Sequence, residues 1–114
     1  MQLFVMVLNR TEYLDEIFSR MLEKKIGGAT VLESTGMMRV LDDDDVDFPM
    51  TGILRQLFNP ERKHSKTFFC ALKDEQLPEM MEIINDVTGG LHTPDSGVAF
   101  ALPLSFVEGV EKKR

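Results

Sequence analysis

Residues 66–73 read Lys-Thr-Phe-Phe-Cys-Ala-Leu-Lys, five consecutive apolar positions between two lysines. A run this short and this uniformly apolar predicts a strand buried on both faces, because a half-exposed strand alternates. Downstream, Asp74-Glu75-Gln76 leads to Pro78, which suits a first helical turn where a missing N–H costs nothing. Leu77, Met80, Met81, Ile84 and Val87 then keep the 3/4 spacing of one helical stripe, and Gly89-Gly90 stops it. Leu91–Gly97 (LHTPDSG) has turn chemistry, and Val98–Leu104 (VAFALPL) predicts a last strand.

Upstream the same reasoning finds the mirror half. Leu3–Leu8 (LFVMVL) is a strand apolar at every position. Thr11 is the expected N-cap of a helix whose stripe is Leu14, Ile17, Phe18, Met21 and Leu22, with Gly27-Gly28 as its stop. Ala29–Thr35 (ATVLEST) predicts a second strand that Gly36 interrupts and Met37–Leu41 resumes. Between Asp42 and Ser65 no strand pattern survives. That stretch carries five acids in Asp42–Asp47, Pro49 and Pro60, and one helix-like fragment, Met50–Phe58. A connection this long in so small a chain predicts a functional or mobile loop. The like charges hold it extended, and the absence of a spaced EF-hand pattern predicts no preformed cation cage.

The predicted order is β-α-β-β-α-β, an α+β, ferredoxin-like fold with two helices on one face of a four-stranded antiparallel sheet. Two helices cover one sheet face, yet the first, third and fourth strands are apolar on both. A lone copy would then expose a contiguous apolar patch, which monomers rarely do. A closed oligomer follows, with Phe4, Phe69 and Phe100 divided between core and interface.

The chain has 114 residues, 43% apolar and 28% charged, the proportions of one globular domain spanning 1–114. Its net charge of −6 resides almost wholly in the Asp42–Asp47 run, and its cations are dispersed, so nucleic acid is not an expected partner. The third strand also lacks the aromatic pattern of an RNA-recognition motif. One cysteine, Cys70, excludes a disulfide framework and a multi-thiolate zinc site. With no basic, apolar leader and no apolar run near the length of a membrane span, the expected location is the cytoplasm. No Ser/His/Asp or Cys/His set is legible, so no catalytic residues, no metal site and no covalently bound cofactor are expected.

In its residues the chain resembles the P-II nitrogen-regulatory superfamily. Gly28-Ala29-Thr30-Val31 with Thr35-Gly36-Met37-Met38-Arg39 resembles the second strand and the approach to the family's T-loop, which 42–65 would then be. Thr88-Gly89-Gly90-Leu91 and Asp95-Ser96-Gly97, running into Val98–Pro103, resemble the glycine-rich B-loop and the strand after it. The resemblance implies a homotrimer with inward-facing sheets and an adenine nucleotide in clefts between copies. It also implies a signalling loop that reports to a target protein, membrane-associated or free. Carried over by position, the ligand-binding set is Thr30, Gly36, Met37, Met38, Arg39, Thr88, Gly89, Gly90, His92, Asp95, Ser96 and Gly97. The departures are Met38 and Val40 for a glycine and a glutamine, Val98 for a lysine, no tyrosine in the loop, and no Arg-x-Arg segment unless Lys112–Arg114 replaces it. These remove phosphate-binding cations and shift the expected preference from ATP toward AMP, ADP or a non-nucleotide anion. A divalent-metal-tolerance trimer of the CutA type and a small ferredoxin-like catalytic oligomer are the alternatives of related topology. From the residues alone, Thr88–Gly97 reads equally as a helix cap followed by a turn, and Arg39 as a solvated strand end.

Overall fold

The computed structural model describes residues 1–36 and 64–110. Strands β1 (Gln2–Leu8), β2 (Thr30–Ser34), β3 (Ser65–Leu72) and β4 (Gly97–Pro103) and helices α1 (Leu14–Glu23) and α2 (Leu77–Thr88) follow one another as β1-α1-β2-β3-α2-β4. The sheet order is β2-β3-β1-β4, antiparallel throughout. This is the α+β arrangement expected from the sequence. The proposed continuation of β2 through 37–41, the acidic run and the helical fragment 50–58 lie outside the described residues.

The register sorts side chains by physical need. Phe4, Met6 and Leu8 of β1 and Phe68, Cys70 and Leu72 of β3 are buried under Ile17 and Met21 of α1 and Met80, Ile83 and Ile84 of α2. Phe68 is the hub: its ring meets Phe18 edge-on at 5.2 Å and lies 6.2 Å from Phe4. Strand β4 reverses the usual allocation. Its helix-side positions are the small Gly97, Ala99 and Ala101, paired with Leu8, Met6 and Phe4. Its bulky Val98, Phe100 and Leu102 fall on the other face and are 49%, 51% and 42% exposed.

Helix ends depart from expectation in two informative ways. Thr11 does not cap α1; Thr11–Tyr13 forms a 3₁₀ turn, with Tyr13 N–H donating to Arg10 C=O at 3.2 Å, and α1 begins at Leu14. The backbone supplies the partner that a capping hydroxyl would have supplied. The helix also stops before Gly27. Lys25 takes a left-handed conformation (φ 59°), which lets Ile26 N–H donate to Met21 C=O at 2.9 Å and buries the Ile26 side chain. That apolar anchor outweighs the usual preference for glycine at such a position. Leu22, one position beyond Met21, rotates off the contact stripe and is 76% exposed.

Gly97 is where β4 meets β1. Its φ of 145° and a virtual Cβ only 2.2 Å from the Val7 carbonyl oxygen leave no room for a side chain. Gly97→Ala is expected to destabilise the fold by about 2–3 kcal/mol or more, since backbone must shift. Lys25→Gly should stabilise it by about 1 kcal/mol by relieving the left-handed strain. Urea unfolding of the two variants reads both signs.

Candidate functional site

The register fixes where the two halves of the candidate site lie. Gly97 pairs with Leu8, Leu8 with Lys66, and Lys66 with Glu33, one row across all four strands. The exit of β2 (Ser34, Thr35, Gly36) and the start of β4 (Ser96, Gly97) are therefore at the same end of the sheet but on opposite edges. Three strand spacings, about 14 Å, separate them. Thr30 lies exposed at the start of β2, in the row midway along the sheet that runs through Phe69 and Val5 to Phe100. The chain brings the residues of Thr88–Gly97 together, but leaves Thr30 at one end of β2 and Gly36 just past the other, about 20 Å apart, and joins neither to the Thr88–Gly97 loop. Met37, Met38 and Arg39 lie outside the described residues.

The glycine-rich loop is closed by its own hydrogen bonds. Thr88 Oγ1 donates to Ile84 C=O at 2.7 Å and accepts from Gly90 N–H at 3.1 Å, while Gly89 N–H donates to Asn85 C=O at 2.9 Å. Thr93 donates from both N–H and Oγ1 to Gly90 C=O, and its hydroxyl also meets that of Ser96. Ser96 C=O accepts from Asn9 N–H at 3.0 Å, tying the loop to the end of β1. The amides of Gly89 and Gly90, expected to cradle an anion, are thus spent within the chain. His92 is exposed and arches over Gly90, whose φ is 109° and whose virtual Cβ would sit 2.6 Å from the imidazole. Asp95 takes a left-handed φ of 63°, which carries the chain round toward β4.

At the β2 edge, sequence reading missed a hydroxyl cluster. Ser34 Oγ lies 2.9 Å from Ser65 Oγ and 2.7 Å from Thr67 Oγ1, and each serine hydroxyl also reaches the other's carbonyl. One proton per hydroxyl satisfies this set internally, so it pins the β2–β3 register rather than inviting a ligand. Next to it Thr35 Oγ1 is 3.1 Å from His64 Nδ1, joining the two chain segments that flank 37–63. The i, i+2 spacing of Ser65 and Thr67, either side of Lys66, puts them on one face, but nothing in the sequence pairs them with Ser34. On the helix-side face Lys66 pairs with Glu33 and holds that carboxyl below the usual carboxylate range.

Elsewhere the chemistry is quiet. Cys70 is buried in the core and burial pushes its thiol up to about 11, so no thiolate nucleophile is available near neutrality. Among the described residues no group of three or more His, Cys, Asp or Glu is placed to hold a metal ion, and no helix is long and apolar enough to cross a membrane. A groove of about 780 Å³ runs between α1 and α2, rimmed by Asp15, Glu16, Glu23, Glu82 and Asp86. Arg20 neutralises part of it, 2.9 Å from Glu16 and 3.7 Å from Asp86. Exposed pairs of this kind contribute little stability.

No protein-family model matches the chain, and no curated protein matches it. The functional argument therefore rests on geometry. Thr88→Val removes the one hydroxyl that serves Ile84 and Gly90 together, and is expected to cost about 1–3 kcal/mol through an orphaned buried amide. Amide exchange at Gly90 should accelerate relative to the core of β1, as read by native-state hydrogen exchange.

Proposed function

We propose that this chain is a P-II-like regulatory protein. In this reading three copies close into a trimer, a small anionic effector binds in the clefts between them, and segment 42–65 carries the bound state to a protein partner. The observation behind it is the opposite-edge placement of the two half-sites. Ser34–Gly36 at the exit of β2 and Ser96–Gly97 at the start of β4 share one end of the sheet on opposite edges, at a separation one chain cannot close, with Thr30 farther along the β2 edge. Edges of neighbouring copies set side by side would make a cleft with one wall from each. The ferredoxin-like strand order, the long connection between β2 and β3, and the uncharged outer sheet face are what such an assembly needs.

The effector's charge falls on side chains rather than on the glycine amides. Arg39 offers a planar fork for phosphate or carboxylate, and His92 stands exposed at the opposing wall. Val98, on the open sheet face, adds no cation. Each charge-assisted hydrogen bond to phosphate is worth about 1.5–3 kcal/mol, so a site poor in cations favours AMP or ADP over ATP. In this reading the ligand acts by biasing the loop between two states.

Calorimetry with AMP, ADP and ATP tests the reading. AMP or ADP should bind more tightly than ATP, and Arg39→Ala should weaken binding roughly ten- to a hundredfold. Tight ATP binding that ignores Arg39 would overturn the mechanism, and the absence of binding by all three would remove the nucleotide from it.

A further inference from the structure

Beyond β4 the chain runs on through Leu104–Val110 without returning to the body. Leu104 N–H donates to Met1 C=O at 3.1 Å, and no further backbone hydrogen bond is made by 105–110 among the described residues. This stretch is nonetheless apolar at Phe106, Val107 and Val110, which are 75%, 38% and 47% exposed. The alternation Val98, Phe100, Leu102, Leu104, Phe106 continues the bulky stripe of the open sheet face past the last strand pair. The open face itself carries no charged residue in any of its four strands, from Thr30, Leu32 and Ser34 at one edge to Val98, Phe100 and Leu102 at the other.

We propose that segment 105–110 packs on the open sheet face of a second copy of this chain, with Phe106 as its anchor. Two features choose the second copy as occupant. The face is neutral, so an identical neutral face covers it without burying an unpaired charge, and the segment's one charged residue, Glu108, has to stay at the rim of the contact. The area also argues for the segment. A phenylalanine that is three-quarters exposed leaves on the order of 110–190 Å² bare, about a fifth of the ~800 Å² per partner that a stable interface needs. Leu32, Val98, Phe100 and Leu102 supply the surface it would meet. In a three-fold ring each copy gives its segment to one neighbour and receives that of the other, so the contact closes with the ring instead of propagating.

The inference rests on the oligomeric reading above, and its test separates the two. Sedimentation of the full chain at low micromolar concentration is compared with Phe106→Ser/Val110→Ser, whose side chains are too exposed for the fold of one copy to need them; far-ultraviolet circular dichroism checks that fold. The double variant should associate at least tenfold more weakly with its spectrum unchanged. In parallel, Phe106→benzoylphenylalanine is irradiated in a mixture of isotope-labelled and unlabelled chains. Labelled-to-unlabelled adducts on strand residues of the open face are expected. An oligomer that the double variant leaves undiminished, or adducts confined to one chain, overturns the segment exchange and leaves the oligomer standing. A wild-type chain that sediments as a monomer overturns both.

Discussion

The constraint on which this molecule depends is that a sheet has two faces and its two helices can cover one. The helix-side face is filled to completion by Phe4, Met6, Leu8, Phe68, Cys70 and Leu72, all 3% exposed or less. The other face is apolar in β1 and β4 and carries the hydroxyls of Thr30, Ser34, Ser65 and Thr67 toward the β2 edge. Strand β4 makes the asymmetry plain, giving its alanines and glycine to the helices and its valine, phenylalanine and leucine to the outside. Local economy would place them the other way. Removing that outer surface from water would be favourable, which for an uncharged face means the burial of like against like.

In the proposed assembly the outer face is buried, and the position of the loops acquires meaning. The β2 exit and the start of β4 sit at one end of the sheet on opposite edges, so neighbouring copies would bring unlike walls together. Each wall is rigid for a local reason. The Ser34–Ser65–Thr67 hydroxyls lock one edge, and Thr88, Thr93, Ser96 and Asn9 lock the other. Groups held this firmly would not have to be ordered by a ligand, a saving that would raise affinity. The same closure uses the Gly89 and Gly90 amides within the chain, so in the proposed site recognition would fall to side chains.

Much of the fold was legible because it is written in periodicity. The continuous apolar runs at 3–8 and 68–72 and the 3/4 spacing of Leu77–Val87 leave little freedom. What escaped was decided by contacts between distant residues. That Lys25 rather than Gly27 would end α1 depends on Ile26 finding the core, and Leu22, at the rim of its stripe, stays exposed while Ile17 and Met21 take the core positions. The candidate site was legible in its location but not in its chemistry. Two adjacent glycines suggest free amides, and only the hydroxyl of Thr88 and the carbonyl of Asn85 show where those amides go. The hydroxyl cluster at the β2 edge pairs residues 31 and 33 positions apart, a relation no local pattern announces.

Native mass spectrometry of the wild-type chain beside Phe100→Asp, which places a charge at the centre of the β4 stripe, addresses the two-faced sheet most directly. The account predicts three times 13.0 kDa for the wild type and a folded single chain for the variant. A wild-type mass of one chain, or an assembly that accepts aspartate at position 100 without loss, would contradict it.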